Sequence, residues 1–388
     1  MSREFDVVVY GASGFTGRLV AEYLQSEYGS DVKWAMAGRS ADKLAAVRDE
    51  MGVDSGVALI TANSDDAQSL ADMAARTKAV ITTVGPYQLY GEPLVKACVE
   101  AGTDYVDLCG EPAWMVDIID RYEAAAKESG ARIVLSCGFD SIPFDLGVYF
   151  LQKHVMDTTG APSPHIRGRV RKMKGTFSGG TAASFMETMK RAGTQPEVLD
   201  WLKDPFALVP DFSGPAQPLG HKPIFEEDLN SWAAPFIMAS INTKNVHRSN
   251  ALMGHKYGAD FQYSEMILTG PGEQGEAAAT HVAKSDTFGK NPPKPGEGPS
   301  KEERDNGLYD VLFVADTKDG LMMASVAGDK DPGYGSTSKM ITEAALALVQ
   351  DVPKDKVGGG VYTSAPAMGD ALITRLQDHA GLTFKLEG

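Results

Sequence analysis

The sequence predicts an α/β protein in which a doubly wound parallel sheet is followed by a second, α+β domain on a mostly antiparallel sheet. Up to about residue 140, short apolar runs rich in β-branched residues alternate with amphipathic segments, beginning at residues 5–10 and 16–26. This alternation is typical of parallel strands that helices cover on both faces. After Gly138 it stops, and longer strand-like runs separated by turn residues follow, which predicts the change of sheet type.

The elements of the first sheet can be assigned in order from these runs. The predicted strands are residues 5–10, 32–37, 57–61, 79–84, 104–108 and 132–137, and the predicted helices are residues 16–26, 42–51, 64–76, 93–101 and 115–129. The helix at 64–76 opens with Ser and Asp residues, which cap helices well. Each strand is short and each helix follows at once, as a doubly wound sheet requires.

The second domain is predicted from runs of a different kind. Strands are expected at residues 165–175, 261–269, 309–317 and 320–328, helices at 338–350 and 367–379, and a surface loop rich in Pro, Gly and charge at 290–303. We place the dinucleotide-binding domain at residues 1–145 and the substrate and dimerisation domain at 146–345. Residues 346–388 are expected to form C-terminal helices that return to the first domain.

Composition and charge narrow the classes of function. The formal net charge is −15, so the field of the chain repels nucleic acid, which we exclude as a partner. Three cysteines are too few for a disulfide framework and favour a reducing compartment. The first residues lack the apolar run of a signal peptide, and no stretch offers the roughly 20 apolar residues of a spanning helix. We therefore expect a cytoplasmic protein, and peripheral contact with a membrane stays open.

A glycine-rich loop joins the first predicted strand to the first helix. Gly11, Gly14 and Gly17 form a G-x-x-G-x-x-G pattern at this junction, which is the position of the glycine loop in a Rossmann domain. The first glycine permits a tight turn, the second lets the backbone approach a pyrophosphate, and the third permits close packing of helix on strand. The helix N-terminus then offers N–H groups to the anion. The cofactor contacts predicted in this loop are Gly11, Ser13, Gly14, Phe15, Thr16 and Gly17.

Residues at the end of the second strand predict which dinucleotide binds. An NAD site usually has an acidic residue there, about 20 residues after the loop. This chain has Arg39 and Ser40 instead, with Lys43 one turn on. Arg39 can pair with a 2′-phosphate and Ser40 can donate a hydrogen bond to it. We therefore predict NADP(H) rather than NAD, and the alternative interpretation of these residues is a solvated helix start.

Further strand ends are expected to converge on one crevice, because ligands of doubly wound sheets bind beyond the carboxyl ends of the strands. Val84 at the end of the fourth strand and Gly85 and Pro86 after it are predicted cofactor contacts, and Gly85 and Pro86 are expected to pass under the nicotinamide-side ribose. Tyr87 comes directly after them, and Asp140 follows the sixth strand. Polar residues at such places can equally be helix caps or turn formers.

Three residues are candidates for proton transfer to the substrate. They are Tyr87, Tyr334 and Asp140, the last through a water that it holds. Tyr334 lies just before the predicted helix 338–350, and the segment 179–181 precedes another helical run in the same way. N–H groups at these two helix starts can face a carbonyl oxygen, or the residues can be ordinary caps.

Arg167, Arg169 and Arg171 alternate along a predicted strand and therefore share one of its faces. They can attract the phosphates of an acyl carrier or coenzyme A, bind the carboxylates of an amino-acid substrate, or form the solvent face of the sheet. Metal binding is not predicted, because the seven histidines are scattered and no metal-binding motif occurs. A serine nucleophile motif is also missing.

Several longer motifs resemble one family of oxidoreductases. They are VYGASGFTG (9–17), AGRS (37–40), TTVGPYQLYGEPLVKAC (82–98), YVDLCGE (105–111), CGFDSIPFDLG (137–147), DPGYGSTSKM (331–340) and GGVYTSAPAMGDALITRL (359–376). In these motifs the chain resembles the saccharopine dehydrogenase-like oxidoreductases, and most of all the branch that includes the trans-acting enoyl reductases. The resemblance implies a Rossmann domain, a second α/β domain inserted before the C-terminal helices, and a nicotinamide cofactor. It also implies an adenine contact after the third strand, for which the candidate is Asn63 with its accepting amide oxygen.

These observations together predict an NADPH-dependent oxidoreductase that reduces a C=C or C=O bond of a small acyl or lipid substrate, working as a homodimer. The protein is expected to position the nicotinamide, exclude water and polarise a developing enolate or alkoxide. Two alternatives stay open. One is a saccharopine-type dehydrogenase of secondary amines, which needs cationic groups for the substrate carboxylates. The other is a non-catalytic scaffold that keeps NADPH as a structural ligand.

Overall fold

The computed structural model describes residues 3–176, 179–218, 220–285, 294 and 296–387, so part of the predicted loop 290–303 lies outside the described residues. Its strands are β1 (Phe5–Tyr10), β2 (Trp34–Gly38), β3 (Ala58–Thr61), β4 (Thr77–Thr82), β5 (Asp104–Val106), β6 (Arg132–Val134), β7 (His165–Lys174), β8 (Ile224–Glu226), β9 (Ser231–Pro235), β10 (Gln262–Gly270), β11 (Leu308–Thr317), β12 (Gly320–Gly328), β13 (Gly360–Tyr362) and β14 (Leu382–Glu387).

Helices connect and cover these strands. They are α1 (Phe15–Tyr28), α2 (Ala41–Glu50), α3 (Ala67–Arg76), α4 (Tyr87–Tyr90), α5 (Glu92–Ala101), α6 (Pro112–Ser129), α7 (Ile142–Thr159), α8 (Gly179–Ala192), α9 (Pro196–Lys203), α10 (Ala239–Leu252), α11 (Gly272–Lys284), α12 (Lys301–Asp305), α13 (Thr337–Leu346) and α14 (Ser364–Asp378). The π-helical turns Pro332–Ser336 and Ala347–Asp351 flank α13. The predicted capping of α3 comes from Asp66, whose carboxylate accepts from the N–H groups of Gln68 and Ser69 at 3.1 and 3.2 Å.

The first sheet is parallel throughout and has the strand order β13-β6-β5-β4-β1-β2-β3. Six of these strands follow the doubly wound order 3-2-1-4-5-6, in which the order reverses between β1 and β4. Their central residues are buried on both faces, as in β1, where Val7, Val8 and Val9 are fully buried. Burial on both faces explains why the strands appear in the sequence as continuous apolar runs.

The second sheet has the order β14-β12-β11-β7-β10-β9-β8, and only the pair β7–β10 is parallel. The predicted fold class, a Rossmann sheet followed by a mostly antiparallel α+β domain, is therefore confirmed. The sequence prediction missed the short strands β8, β9, β13 and β14 and the helices α4, α7, α9, α10, α11 and α12. Each of those strands has six residues or fewer and α10 is rich in polar residues, so neither signal stood out.

One hydrophobic cluster connects the two sheets. It runs from Val7 and Val9 of β1 through helices α7, α13 and α14 to Val311 and Phe313 of β11. Helix α7 can lie directly on the second sheet because of Gly147: a Cβ atom there would approach the Phe313 ring to 2.3 Å. The sheets therefore share a core, and the space between their ends is held in a defined geometry.

The last residues of the chain add one strand to each of the two sheets. Strand β13 pairs with β6 in the first sheet, and β14 pairs with β12 in the second. Helix α13 packs against α1, β4 and β5, so the chain has returned to the first sheet before residue 346. The domain boundaries drawn from the sequence stay a prediction, but residues 346–388 contribute a strand to each sheet as well as a helix.

Candidate functional site

A cavity of about 800 Å³ lies beyond the carboxyl ends of β1, β2, β4, β5 and β6. One wall is formed by the ends of these strands and the start of α1. The opposite wall comes from the end of β7, helix α8, the segment 236–241 and the π-helical turn before α13. This is the crevice in which doubly wound sheets bind ligands.

The predicted glycine loop forms one end of the cavity, and each glycine has a separate structural reason. Gly11 has a φ of +88°, which disfavours any residue with a Cβ atom. At Gly17 a Cβ atom would lie 2.1 Å from the carbonyl oxygen of Gly11, so helix and loop can only meet there through glycine. At Gly14 a Cβ atom would meet only that same oxygen, at 3.2 Å, because its other side faces the cavity.

Helix α1 begins beside this open face. Gly14 is its N-cap and provides no side-chain hydrogen bond, so the first N–H groups of the helix are left for a ligand. Ser13, Phe15 and Thr16 line the cavity with Gly11 and Gly14, whereas Gly17 is buried behind them. A glycine cradle with an uncapped helix N-terminus fits the pyrophosphate of a dinucleotide.

The residues predicted to select NADP(H) separate into two groups. Arg39 lines the cavity, and its guanidinium makes no ion pair or hydrogen bond within the part of the chain that is described. Ser40 instead caps α2 by accepting from the N–H of Lys43 at 3.3 Å. Neither Ser40 nor Lys43 belongs to the cavity lining. The structure therefore leaves Arg39 as the one predicted cation within reach of a 2′-phosphate in the cavity.

Asn63 does not line the cavity, whereas Ser64 and Asp65 do. The amide oxygen of Asn63 accepts from the N–H of Asp65 at 3.3 Å, which turns the chain after β3. Ser64 and Asp65 are therefore the residues after β3 that border the cavity, while the adenine contact itself stays a prediction.

The chain after β4 borders the cavity as predicted for Val84 and Gly85, but Pro86 is not part of the lining. Tyr87 lines the cavity with its ring, while its hydroxyl donates to the carbonyl oxygen of Thr82 at 3.1 Å and accepts from the N–H of Leu108 at 3.1 Å. Burial raises the pKa of Tyr87 well above its ordinary value. Its hydroxyl therefore holds two loops together, and we do not retain Tyr87 as a proton donor.

Glu111, which follows β5, accepts hydrogen bonds from residues at the same end of the cavity. Its carboxylate accepts from the backbone N–H groups of Tyr87 and Gln88 at 2.8 and 2.9 Å and from the hydroxyl of Ser184 at 2.7 Å. Burial raises the pKa of Glu111, and these three donors oppose the rise. The residue ties α4 to α8, and therefore the strand-end wall to the opposite wall. Glu111 belongs to the motif at 105–111, but no local signal distinguishes it there as a functional residue.

Asp140 is the predicted residue whose placement best suits proton transfer. It lines the cavity, and its Oδ1 is buried without a hydrogen-bond partner among the described residues. Burial raises the pKa of Asp140 to about 7, so the carboxyl group is partly protonated near neutral pH. The preceding turn is held by Thr337, whose hydroxyl accepts from the N–H of Phe139 at 2.9 Å.

Tyr334 also lines the cavity, and its ring packs edge-on against Phe15 with the centroids 5.2 Å apart. Its hydroxyl lies 3.3 Å from the hydroxyl of Thr181 at the start of α8. The start of α8 and the π-helical turn therefore meet over the glycine loop. Both segments were predicted as pocket-forming helix starts, and both reach the cavity.

The wall opposite the strand ends is largely apolar. Its side chains are Met173, Phe185, Met189, Leu202, Phe236, Ile237, Met238 and Ile241, with a few small polar residues between them. Among the described residues that line the cavity, the one cationic side chain is Arg39. A substrate that rests against this wall is therefore held mainly by apolar contact.

The three arginines of β7 do not reach the cavity. Arg169 is buried and binds Glu226, with its Nε 2.7 Å from the carboxylate, while Arg167 binds Glu226 and Asp228. Arg171 binds Asp310 at 2.8 Å and Glu387 at 2.6 Å. The guanidinium groups of all three are paired with carboxylates on β8, β11 and β14 or in the turn after β8, so none of them is free to hold a phosphate in the cavity. The sequence could not show this, because the partners lie far along the chain.

Comparisons with known proteins agree with this geometry. Residues 7–134 match the family model described as the saccharopine dehydrogenase NADP binding domain. The chain is 42% identical over 402 aligned residues to a Mycobacterium tuberculosis protein provisionally named a trans-acting enoyl reductase, with 96% of each chain covered. It is 37% identical to a trans-acting enoyl reductase of Mycobacterium ulcerans, again over 96% of each.

Among solved structures, the chain is similar to saccharopine dehydrogenase (L-Glu forming) from Saccharomyces cerevisiae, with a TM-score of 0.54, 12% identity and 99% and 100% of the two chains covered. At this identity the likeness concerns the fold alone. The family model confirms the predicted NADP(H) cofactor. Within the described residues, no helix has both the length and the apolar character needed to cross a membrane.

Proposed function

Because the chain belongs to the saccharopine dehydrogenase-like family that includes the trans-acting enoyl reductases, we propose that it uses NADPH to reduce the C=C bond of an acyl or lipid enoyl substrate. The cofactor would lie along the glycine loop with its 2′-phosphate at Arg39. The substrate would lie between the nicotinamide and the apolar wall formed by α8 and the segment 236–241.

The observation that supports this proposal is that the wall opposite the strand ends is apolar and has no cationic side chain among the described residues. A dehydrogenase of amino-acid-type amines must hold two or more carboxylates, and buried carboxylates need cationic partners. The described lining offers none on the substrate side, and the arginines of β7 are already paired. An acyl chain needs only apolar contact there, which Met173, Phe236 and Ile241 provide.

The described residues suggest how the chain supports such a reduction. Bound NADPH supplies the hydride. Asp140, with its carboxyl group partly protonated and its Oδ1 unpartnered, would give a proton to the substrate carbon or oxygen on which charge develops. Thr337 holds the Phe139 end of the Asp140 turn, and Glu111 holds α8 against α4, so that the two walls keep their spacing. The apolar wall excludes water from the reacting atoms.

We also propose that the protein works as a homodimer in the cytoplasm. The edge strand β8 exposes Ile224 and Phe225, which is typical of a surface that pairs with another chain. The three cysteines are free and buried, in keeping with a reducing compartment. Light scattering of the purified protein tests the dimer, and a mass equal to one chain would contradict it.

The reaction is tested by following NADPH oxidation with medium- and long-chain trans-2-enoyl thioesters, and with amine–aldehyde pairs as the competing substrate class. We expect turnover of the enoyl thioesters alone. Turnover of the amine–aldehyde pairs alone would assign the protein to the amine dehydrogenases of the family. Tight NADPH binding without turnover of any acceptor would point to a scaffold that only stores the cofactor.

A further inference from the structure

We propose that the segment 296–304 forms an outer wall of the cofactor site, with Phe15 as the positioning residue that holds this segment over the pyrophosphate. The sequence predicts a surface loop here, and the segment lies far outside residues 7–134, which match the NADP-binding family model. In the structure, however, Gly296 and Glu297 line the cavity together with the glycine loop. The segment therefore borders the space in which the cofactor binds.

Phe15 is the residue on which this wall rests. It is the first residue of α1, directly after the N-cap Gly14, and it lines the cavity. The Tyr334 ring meets the Phe15 ring edge-on with the centroids 5.2 Å apart, and the guanidinium carbon of Arg304 lies 5.7 Å from the Phe15 centroid. The backbone of Gly298 packs on the same ring. The helix turn that offers its N–H groups to the pyrophosphate is thus covered by groups from outside the first sheet.

The contact between Gly298 and Phe15 is so close that it requires glycine. A Cβ atom at Gly298 would lie 2.5 Å from Cζ of the Phe15 ring and 2.9 Å from its Cδ1. Carbon atoms that are not bonded to each other prefer separations of about 3.5–4.0 Å. Gly298 does not have a positive φ, so glycine is needed here for room and not for its backbone conformation.

Hydrogen bonds hold the segment in place. The carbonyl oxygen of Glu297 accepts from the N–H of Gly179, at the start of α8, at 3.2 Å. Arg304 donates from Nη1 to the carbonyl oxygen of Pro299 at 2.7 Å, and its own carbonyl oxygen accepts from the N–H of Asp331 at 3.0 Å. The segment is thereby tied to α8 and to the π-helical turn before α13, which are the other two segments that meet over the glycine loop.

The charges of the segment are arranged to favour an anion beside the Phe15 ring. The guanidinium of Arg304 lies over this ring. Glu303 instead caps α12, Asp305 is bound by two lysines, and the carboxylate of Glu297 accepts from a backbone N–H of its own loop. Arg304 is outside the cavity lining, so it acts on the pyrophosphate through its field and not by contact. The segment also keeps water from the helix start, where the attraction between N–H groups and phosphate then becomes stronger.

This arrangement divides the cofactor site into two parts. Arg39 would bind the 2′-phosphate at the adenosine end, whereas the segment acts only where the pyrophosphate passes the start of α1. Loss of the contact between the segment and Phe15 is therefore expected to weaken a ligand that carries the pyrophosphate. A ligand that carries the 2′-phosphate alone is expected to bind as before.

The test is a double-mutant cycle of Gly298→Ala and Phe15→Ala in the full-length protein. Titration calorimetry measures the binding of NADPH and of adenosine 2′-monophosphate, which has the 2′-phosphate but no pyrophosphate. We expect each single variant to weaken NADPH binding by about threefold to tenfold, the contribution of one aromatic contact. The double variant is expected to bind NADPH no more weakly than Phe15→Ala, because both changes remove the same contact. All three variants are expected to bind adenosine 2′-monophosphate like the wild-type protein.

The matched control is Gly358→Ala, because a Cβ atom there meets nothing within 4 Å and Gly358 does not line the cavity. It is expected to bind both ligands like the wild-type protein. Additive losses in the double variant would overturn the proposal. An equal loss of affinity for both ligands would also overturn it, because that result is expected when the two residues only support the fold.

If Gly298→Ala does not fold, hydrogen exchange of the wild-type protein decides. The backbone amides of the segment 296–304 are expected to exchange more slowly with NADPH bound, but not with adenosine 2′-monophosphate bound. Unchanged exchange with NADPH would refute the proposal. None of these measurements needs an acceptor to be reduced, so the result is independent of the proposed enoyl reduction.

Discussion

Arg39 and Asp140 both reach the cavity without an ion-pair or hydrogen-bond partner among the described residues. For Arg39 this leaves the guanidinium open to a phosphate, which is the ligand that its planar donors suit best. For Asp140 it leaves a desolvated carboxyl group beside the substrate space. At the scale of single residues, the site is therefore marked by ionisable side chains that have no ion-pair or hydrogen-bond partner within the described part of the protein.

Arg39→Asp is expected to change the cofactor preference from NADP(H) towards NAD(H). A carboxylate repels the 2′-phosphate and can accept from the ribose hydroxyl groups instead. The ratio of the two dissociation constants, measured by titration calorimetry, is expected to change by at least about tenfold. The control is Lys43→Asp, which makes the same change of charge outside the cavity lining. An equal effect in both variants would show that general charge, and not Arg39, sets the preference.

Asp140→Asn is expected to lower kcat by about 10² to 10⁴, the usual contribution of a general acid. The amide keeps the size of the side chain but cannot donate a proton in the same way. NADPH affinity is expected to stay the same, since the glycine loop and Arg39 are untouched. A kcat close to that of the wild-type protein would leave Tyr334 as the remaining candidate donor.

At the scale of elements, the glycines of the loop between β1 and α1 have two different roles. One permits close packing of the loop, and another leaves room for a ligand. Gly17 is closed in by the carbonyl oxygen of Gly11, whereas Gly14 opens to the cavity. On helix α8, Ser184 and Met189 both line the cavity, and Ser184 is also held in place by its hydrogen bond to Glu111.

The two glycines give a matched pair of variants. Gly17→Ala is expected to lower the free energy of unfolding by about 1–3 kcal/mol, because its Cβ atom overlaps the backbone of the loop. Gly14→Ala is expected to change that free energy by less than about 1 kcal/mol but to weaken NADPH binding by at least about tenfold. Urea unfolding and fluorescence titration measure the two quantities. Reversed effects would show that the loop is oriented differently from the structure.

At the scale of the whole molecule, two sheets share one core, and carboxyl groups are buried between and beneath them. Burial raises the pKa of Asp107 and Asp140 to about 7 and of Glu265 to about 8. Such groups bind protons more tightly in the folded state than in the unfolded state. Their contribution to stability is therefore complete below the unfolded pKa, near 4, and is lost as the pH rises through the folded values.

The free energy of unfolding of the protein without ligands is expected to fall by about 1–3 kcal/mol between pH 6.5 and 8. Within this window, the three bases with strongly lowered pKa values do not oppose the trend, and burial lowers the pKa of Arg248 only to about 10, well above it. Burial lowers the pKa of His247 to about 3, so its effect is complete by pH 6.5, and burial lowers the pKa of Lys244 to about 8, so its effect begins above the window. Urea unfolding at a series of pH values measures the slope. A rise of stability across this range would contradict the assignment of neutral buried carboxyl groups.

Local signals in the sequence determined the Rossmann half of the protein. Residues 5–17 combine a buried strand, a glycine loop and a helix start, and all three depend on neighbouring residues only. The family resemblance likewise rests on contiguous motifs such as those at 82–98 and 137–147. The cofactor class could therefore be predicted from the amino-acid sequence alone.

Only the tertiary structure decided the substrate side of the cavity. Glu111 meets Ser184, Asn242 meets Glu265, and Arg171 meets Glu387, and each pair joins residues that lie far apart in the chain. No local pattern encodes such contacts, because they depend on how two sheets pack around a common core. For the same reason, only the structure shows that the Tyr87 hydroxyl is held by two hydrogen bonds and that Asn63 lies outside the cavity lining. The sequence by itself thus determined what delivers the hydride, and the packing of the two sheets determined which side chains surround the acceptor.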